Sequence, residues 1–229
     1  MNLSARLHAD EWMDADDLPA EVYADVVGDL ARVNRVTMAA RPTLAFLSRV
    51  VTPGTCCRIL DVGYGDGDML RGIARWGRKR GMTLELTGID INPRSHAAAL
   101  AHTPADMAID WRVGDYADLA GEPWDVVLSS LVAHHMTQTQ LICFLRFMEA
   151  HARQGWMVND LHRHAVAYHG WPLLAALYRW HPIVRHDGHV SIARSYRRPE
   201  WQALLAEAGV TDARISRHFP FRLCVERQR

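Results

Sequence analysis

The pattern of apolar and polar positions switches repeatedly between the spacing of strands and that of helices. Five short apolar runs are typical of buried strands, and in chain order they read RILDVG, LELTGID, MAIDWRV, WDVVLSS and QGWMVNDL. Helical spacing lies between them, first over 68–79 and most clearly over 137–152, where Thr137 and Gln140 form a capping box. This alternation predicts a parallel sheet with helices on both faces.

Two segments lie outside the alternation. Near the N-terminus, apolar residues recur at helical spacing (Val22, Val26, Leu30 and Val33), and a second helix is predicted over 42–50. We therefore assign 1–52 to an N-terminal helical cap. The second segment, about 162–198, is rich in aromatic residues and longer than a simple crossover requires. It is interpreted as a lid insertion after the fifth strand.

The last part of the chain predicts a helix followed by two strands. Pro199 starts the helix, Gly209 closes it, and the runs ARISRHF and FRLCVER follow with no room for a helix between them. Such a pair implies antiparallel pairing. The fold class is therefore α/β: a doubly wound, seven-stranded, mostly parallel sheet with an antiparallel edge strand, in a domain covering 53–229.

Composition narrows the possible functions only a little. The 229 residues are 49% hydrophobic with a formal net charge of zero, which suits one globular unit and provides no basic field for nucleic acid. The four cysteines form no CxxC pair, and no apolar run reaches the length of roughly 20 residues that a membrane span needs. The N-terminal stretch also lacks an apolar signal-peptide core. We expect a cytoplasmic protein with free thiols and no membrane partner.

Ligands of such sheets bind at the carboxyl ends of the strands, so the residues there are the candidates for a site. After the first strand the chain reads ILDVGYGDGDML, with Asp61 followed by Gly63, Gly65 and Gly67. A dinucleotide fingerprint would need glycine at position 68, where this chain has Asp68. The turn therefore suits a ligand with a positive charge and no phosphates.

The next two strands also end in acids. Asp90 follows the second strand, where a carboxylate accepts the hydroxyls of a ribose, and Asp115 with Tyr116 follows the third, where the pair suits an adenine ring. Each residue also has a purely structural interpretation, as a helix cap or a turn. Three acids at the ends of consecutive strands together favour a cationic nucleoside.

These motifs resemble those of the class I, Rossmann-like methyltransferases, which use S-adenosylmethionine and release S-adenosylhomocysteine. The resemblance rests on ILDVGYGDG, GID, GDYADL and WDVVLSSLVAHHM, and it extends to the closing helix LLAEAGV and its two strands. Asp66 departs from it, since the family more often has serine or threonine there. The resemblance implies cofactor binding by these residues: Asp61, Gly63, Gly65, Gly67, Asp90, Ile91, Asp115, Tyr116 and Ser130.

The segment after the fourth strand, SSLVAHHM, faces the methyl group in that family. It lacks the Asn/Asp-Pro-Pro-aromatic sequence of enzymes that methylate amino groups of nucleic acids or protein amides. His134 is predicted to position the acceptor, and His135 and His162 are candidates for a base, because histidine titrates near neutrality. Packing and helix capping are the alternative roles of these histidines. Asp160, His162 and His164 are of residue types that could bind a metal, but such clusters seldom do, and no metal is predicted.

A narrower resemblance links the chain to bacterial methyltransferases of polyketide-type pathways. It rests on EWMDADDL, LARVNR, NDLHRHAVAYHG and RHDGHVSIARSYRRPEW. It implies a small phenolic or polyketide-like acceptor, with O-methylation favoured and C-methylation open, in a monomer or homodimer that binds no nucleic acid. Two other functions stay open at this point: a non-catalytic cofactor-binding partner subunit, and a nicotinamide- or flavin-dependent oxidoreductase.

Overall fold

The fold is an α/β sandwich built on one central sheet, seen in a computed structural model that describes residues 3–15 and 17–229. Within those residues the sheet has seven strands in the order β3-β2-β1-β4-β5-β7-β6. The strands are β1 (Cys56–Val62), β2 (Thr83–Asp90), β3 (Asp110–Val113), β4 (Trp124–Ser130), β5 (Ala152–Leu161), β6 (Arg214–His218) and β7 (Arg222–Gln228). The predicted doubly wound sheet is confirmed.

Eight α-helices surround the sheet in the part of the chain that is described. They are α1 (Ala20–Val36), α2 (Ala40–Val50), α3 (Asp68–Lys79), α4 (Pro93–His102), α5 (Gln138–His151), α6 (Ala165–Leu177), α7 (Pro182–Arg194) and α8 (Arg198–Ala208). The predicted capping box of α5 is present, and Gly209 ends α8 in the left-handed conformation at φ +79°. None of these helices combines the length and the apolar character that crossing a membrane would need.

The strand directions follow from the connections. β1 to β5 are parallel because a helix returns the chain between each successive pair, except between β3 and β4, which a short 3-10 helix at Tyr116–Leu119 connects. The predicted antiparallel pairing is confirmed: β7 runs antiparallel to both β5 and β6 and lies between them, so β6 is the outer strand. The third strand was predicted too long. It covers only Asp110–Val113 because it pairs with a single neighbour, β2, from Thr87 onward.

Two apolar cores lie on the two faces of the sheet. One packs α5 and α8 against it through residues such as Phe144 and Trp201, and the other packs α2 and α3 through residues such as Phe46 and Ile73. Helix α2, which we assigned to the N-terminal cap, therefore packs against the sheet.

A third apolar cluster joins segments that are far apart in the sequence. Val26 of α1 packs with Trp171 and Ala175 of α6 and with Val184 and Ile192 of α7. The N-terminal segment is held to the same cluster, because Asp187 of α7 accepts hydrogen bonds from the backbone of Trp12 and Met13 at 2.9 and 3.0 Å. Helix α1 and the lid insertion thus form one apolar layer beside the carboxyl end of the sheet.

Candidate active site

The turn between β1 and α3 has the backbone conformation that its glycines predict. Gly63 and Gly67 have φ values of +76° and +80°, in the left-handed region that side chains disfavour. Space is also short, since a Cβ atom at Gly63 would lie 2.3 Å from Val132 and one at Gly67 would lie 2.3 Å from Trp111. The turn therefore leaves bare backbone at the carboxyl end of β1.

Asp61 ends β1 beneath this turn and is almost fully buried. Its Oδ1 atom has no hydrogen-bond partner among residues 3–15 and 17–229. Burial, and then the nearby carboxylates of Asp68 and Asp90, raises the pKa of Asp61 well above its ordinary value. A cationic ligand group in this position would satisfy the carboxylate, so the residue fits the positively charged ligand that the sequence predicts.

The other acids of the turn mainly hold the turn itself. Asp66 is buried and pairs with Arg71 of α3 at 2.9 Å, and its Oδ1 accepts the backbone N–H of Asp68 at 3.0 Å. Asp68 accepts from the side chain of Asn34 in α1 at 3.1 Å. The acid at position 66, where the family more often has serine or threonine, is therefore paired with a basic residue of the next helix, α3.

Asp90 connects the end of β2 to the glycine turn. Its Oδ2 accepts the backbone N–H of Gly65 and its Oδ1 accepts that of Asn92, both at 2.9 Å. Burial raises its pKa, and these hydrogen bonds act in the opposite direction. The carboxylate is fixed in orientation and each oxygen keeps a further lone pair for a hydroxyl group.

The predicted adenine residues lie further along the sheet edge, away from the cavity described below. Asp115 is exposed and caps a 3-10 helix by accepting the N–H of Ala117 at 2.9 Å. The ring of Tyr116 packs on Phe144 and Phe147, with centroids 4.8 and 4.9 Å away. Ile91 is 76% exposed. These residues are accessible at the carboxyl ends of β2 and β3, outside the cavity.

A cavity of about 450 Å³ lies between the glycine turn and the third apolar cluster. Its polar wall includes Asp61, Ser130, His134 and His135. Its apolar wall comes from α1, α6 and α7, with side chains including Val27, Leu30, Trp171, Leu174 and Ile192. Such a volume suits a small organic molecule. The lid predicted from the sequence therefore lines a cavity together with the turn.

His134 is the most constrained of the predicted site residues. It is 2% exposed, its Nδ1 lies 2.7 Å from Oδ1 of Asp160, and its backbone N–H donates to Oδ2 of Asp160 at 2.8 Å. Burial alone would lower its pKa, but Asp160 and then Glu11 overcome that effect and raise the pKa of His134 to about 9. At neutral pH its ring is an imidazolium and offers a positive charge.

Its neighbour His135 is one-third exposed and faces two further acids. Its Nδ1 lies 3.4 Å from Asp14 and its Nε2 lies 3.6 Å from Oε1 of Glu11. The same Glu11 oxygen lies 3.6 Å from Nε2 of His134. Two histidine rings therefore converge on one buried carboxylate.

His162 lines the same cavity in a basic environment. Burial, and then the positive charge of Arg217 and other neighbours, lowers the pKa of His162 to about 4. The ring is neutral at pH 7, so one of its two nitrogens carries no proton and can accept a hydrogen bond. Of the other two residues of that possible metal site, Asp160 is bound to His134, whereas the ring of His164 lies 5.5 Å from that of His162 and its Nδ1 accepts the backbone N–H of Val166.

The pKa of His162 predicts a pH-dependent stability. Below about pH 6.5 the unfolded chain binds a proton at this position that the folded chain does not bind until about pH 4. We expect the free energy of unfolding to fall as the pH drops through this window, and His162→Gln to remove part of that fall. Urea unfolding at a series of pH values measures it, with the exposed His169→Gln as control. Equal pH dependence in His162→Gln and wild type would contradict the prediction.

Two residues that line the cavity, Glu11 and Arg222, escaped the sequence analysis, and Asp160, the partner of His134, appeared there only among possible metal ligands. Glu11 and Asp160 meet at His134 from distant parts of the chain, and no local spacing indicates that meeting. Arg222 at the start of β7 is 3% exposed and lines the cavity, and its Nη1 atom finds no partner in the described parts of the chain. The sequence does show a single arginine at the start of the apolar run FRLCVER. That pattern alone does not indicate a residue of a binding site.

The comparisons with known proteins agree with this geometry. Residues 59–155 match a family described as "Methyltransferase domain". No curated protein is similar enough in sequence to match the chain. Among solved structures, an Aquifex aeolicus S-adenosylmethionine-dependent methyltransferase is 14% identical with a TM-score of 0.63, covering 92% of this chain and 98% of that one.

Two further structures share the fold over most of this chain. The Synechocystis PCC 6803 magnesium protoporphyrin IX methyltransferase, with bound S-adenosylhomocysteine, is 17% identical with a TM-score of 0.57, covering 95% of this chain and 91% of that one. Human N-acetylserotonin methyltransferase, in complex with S-adenosylmethionine, is 19% identical with a TM-score of 0.63, covering 92% of this chain and 56% of that one.

The strand order and the glycine turn define the class I, Rossmann-like fold. With the domain match over residues 59–155, from β1 to the start of β5, they show that the chain contains a methyltransferase domain of class I, a class whose methyl donor is S-adenosylmethionine. The oxidoreductase alternative is thereby set aside.

Proposed function

We propose that this enzyme transfers a methyl group from S-adenosylmethionine to an oxygen of a small phenolic or polyketide-like metabolite. The observation that carries the proposal is the cavity itself: one wall is the glycine turn with Asp61, the other is the apolar layer of α1, α6 and α7, and a charged histidine lies between them. A donor on the turn would thus share an enclosed space with an apolar acceptor.

The residues of the turn fit the donor. Asp61, with its unpaired buried oxygen, would accept from the ammonium group of the methionine part, and Asp90 would accept from the ribose hydroxyls. The adenine would lie outside the cavity, at the carboxyl ends of β2 and β3, and would be flanked by Asp115, Tyr116 and Ile91. When bound, S-adenosylmethionine supplies an electrophilic methyl group on a sulfonium.

The acceptor wall favours an oxygen nucleophile over an amine. The imidazolium of His134 is held in place by Asp160 and lines the cavity, so it would stabilise an acceptor oxygen that carries negative charge. Its N–H groups are hydrogen-bond donors, which suit an oxygen acceptor and not a protonated amine, since an ammonium group has no lone pair to accept them. Methyl transfer depends mostly on alignment of the reacting atoms, and the loop at Ser130 and Leu131, which also lines the cavity, would help to align them.

The three histidines would take different parts in this reaction. His134 would act by its charge, because it already carries a proton at neutral pH. His162, which is neutral, would accept a hydrogen bond from the acceptor's hydroxyl, since its lowered pKa of about 4 makes it a weak base for removing that proton. His135 would contact the acceptor from the more exposed side of the cavity.

The named neighbours are consistent with a small-molecule acceptor. Two of them are named for magnesium protoporphyrin IX and N-acetylserotonin, both small molecules. No step of the proposal depends on those particular compounds, since identities below 20% carry over the fold alone.

Methyl transfer from cofactor radiolabelled in the methyl group tests the proposal directly. The purified enzyme is incubated with a panel of phenols, polyketide lactones, matched aryl amines and no acceptor. We expect labelled methyl ethers from the phenols or lactones and none from the amines. Transfer confined to amines, or cofactor binding without transfer to any member of the panel, would contradict it.

The lid offers a variant that separates acceptor from donor binding. A Cβ atom at Gly188 of α7 would lie 2.1 Å from the ring of Trp171, so Gly188→Ala must displace that tryptophan. We expect the acceptor KM to rise about 10-fold or more and stability to fall by about 1–3 kcal/mol, while the cofactor Kd stays unchanged. Gly28→Ala in α1, where a Cβ meets nothing within 4 Å and which does not line the cavity, is the matched control. An equal loss of cofactor affinity in Gly188→Ala would contradict the assignment of this wall to the acceptor.

A further inference from the structure

The carboxylate and the two histidine rings at the cavity wall stand at a spacing that hydrogen bonding does not explain. Oε1 of Glu11 lies 3.6 Å from Nε2 of His134 and 3.6 Å from Nε2 of His135. Good N–H···O hydrogen bonds span about 2.7–3.2 Å. One ligand atom from each of the three residues lies within 4.8 Å of the others. All three line the cavity.

The spacing is close to that of ligands around a metal ion. A tetrahedral ion with bonds of about 2.0–2.1 Å holds its ligand atoms about 3.3–3.4 Å apart. The two Glu11–His distances of 3.6 Å are within a few tenths of an ångström of that separation. Two imidazoles and one carboxylate are also a common donor set for divalent transition metals.

The far side of each ring faces a carboxylate, as is usual for metal ligands. Nδ1 of His134 lies at hydrogen-bond distance from Asp160, 2.7 Å, and Nδ1 of His135 lies at the longer ion-pair distance of 3.4 Å from Asp14. A ligating histidine usually donates this second N–H to a carboxylate, which fixes the ring and leaves Nε2 for the metal. Both rings thus present the same nitrogen to Glu11.

Glu11 is anchored as firmly as the rings. It is 5% exposed, and its Oε1 accepts a hydrogen bond from Ser191 of α7 at 2.7 Å. Arg194 also approaches this oxygen, but its Nη1 stays 3.9 Å away. The charged groups beside the two rings are therefore the carboxylates of Asp14, Asp160 and Glu11 and the guanidinium groups of Arg6 and Arg194, which donate to the backbone carbonyls of His134 at 3.1 Å and His135 at 3.4 Å.

We propose that Glu11, His134 and His135 bind one divalent transition-metal ion, of the zinc type, at the wall of the cavity. Three protein ligands leave a coordination position, and the cavity lies beside it. Because a ligating histidine must be neutral, the ion would displace the Nε2 proton of His134 and supply, in place of the imidazolium, the positive charge that binds the acceptor's oxygen and favours its ionised form. That role rests on the proposed function, whereas the binding of the ion does not.

Metal binding is tested first without cofactor or acceptor. The tag-free full chain is stripped with a chelator, and Cys56 and Cys143 are replaced by serine throughout, because exposed thiols also bind zinc. Zn²⁺ is titrated by calorimetry, and Co²⁺ is followed by its visible absorption. We expect one ion per chain and a four- or five-coordinate Co²⁺ spectrum. The absence of saturable binding would overturn the proposal.

Three variants locate the site. His135→Gln is expected to weaken Zn²⁺ binding by at least about 100-fold, and Asp14→Asn by about 10-fold, as for the loss of an outer partner. His169→Gln, on the exposed face of α6, should bind as wild type does. Because His135 is one-third exposed, His135→Gln should fold, and its thermal unfolding without metal checks this. Unchanged Zn²⁺ affinity in a folded His135→Gln would overturn the assignment.

The methyl-transfer assay separates this proposal from the proposed function. If Zn²⁺ binds to the wild type and not to His135→Gln, the metal site is supported even when no acceptor in the panel is methylated. The lack of methylation would then contradict only the proposed function. If the protein transfers methyl groups but binds no Zn²⁺, only the proposed metal site is contradicted. With both present, stripping the metal should raise the acceptor KM and restoring Zn²⁺ should reverse the change.

Discussion

Replacing Gly67 with alanine is expected to lower the free energy of unfolding by about 2–5 kcal/mol. Two effects add at this position. The residue has φ +80°, where a Cβ atom strains the backbone, and that atom would lie 2.3 Å from Cη2 of Trp111. The ring of Trp111 is buried between the turn and β2, so it has little room to move.

The same variant should also weaken S-adenosylmethionine binding, because the turn that carries the donor would shift. Urea unfolding measures the stability and calorimetry measures the affinity. Gly72→Ala, five residues later in α3, is the matched control. A Cβ there meets nothing within 4 Å, and the helical backbone favours alanine, so this change should stabilise by about 0.5–1 kcal/mol. Similar results for the two variants would show that the turn tolerates a side chain.

Replacing Asp61 with asparagine is expected to make the protein more stable and a weaker cofactor binder. The buried carboxylate costs free energy in the folded chain, which is why its pKa is raised. Asparagine keeps the shape without the charge, so the urea midpoint at pH 7 should rise. The affinity for S-adenosylmethionine should fall about 10- to 100-fold, as expected when a charge-assisted hydrogen bond is lost.

The sign of the stability change can be checked by pH. In the unfolded chain Asp61 ionises near its ordinary pKa of 3.8, while the folded chain holds the proton to a higher pH. The advantage of Asp61→Asn should therefore grow as the pH rises from about 4 to 7. Affinity for 5′-methylthioadenosine, which lacks the methionine ammonium, should change little. A similar loss for both ligands would contradict the proposed contact.

The sheet and the donor side of the site could be predicted from the sequence because their signals are local. An apolar strand followed by Gly63, Gly65 and Gly67 specifies a strand, a tight turn and a helix within a dozen residues. Asp90 lies at the end of its own strand, and parallel strands bring such ends to one edge of the sheet. Each of these inferences needs only the neighbouring residues.

The acceptor side could not be predicted in the same way, because it is formed by contacts between distant residues. Asp160 is 26 positions from His134, and Glu11 meets Ser191 across 180 positions. The sequence indicated that His134 and His162 belong to a site. It did not indicate that His134 is charged and His162 neutral, because their pKa values depend on burial and then on Asp160 for His134 and on Arg217 for His162.

The two walls of the cavity also differ in how they can be inherited. The domain match ends at residue 155, so it includes Asp61 and the glycine turn but none of α1, α6 or α7. A lineage can therefore keep the donor wall under strong selection while the apolar wall drifts toward a new acceptor. Relatives should accordingly be grouped by substrate from those three helices, and overall identity would be a poor guide to what each of them methylates.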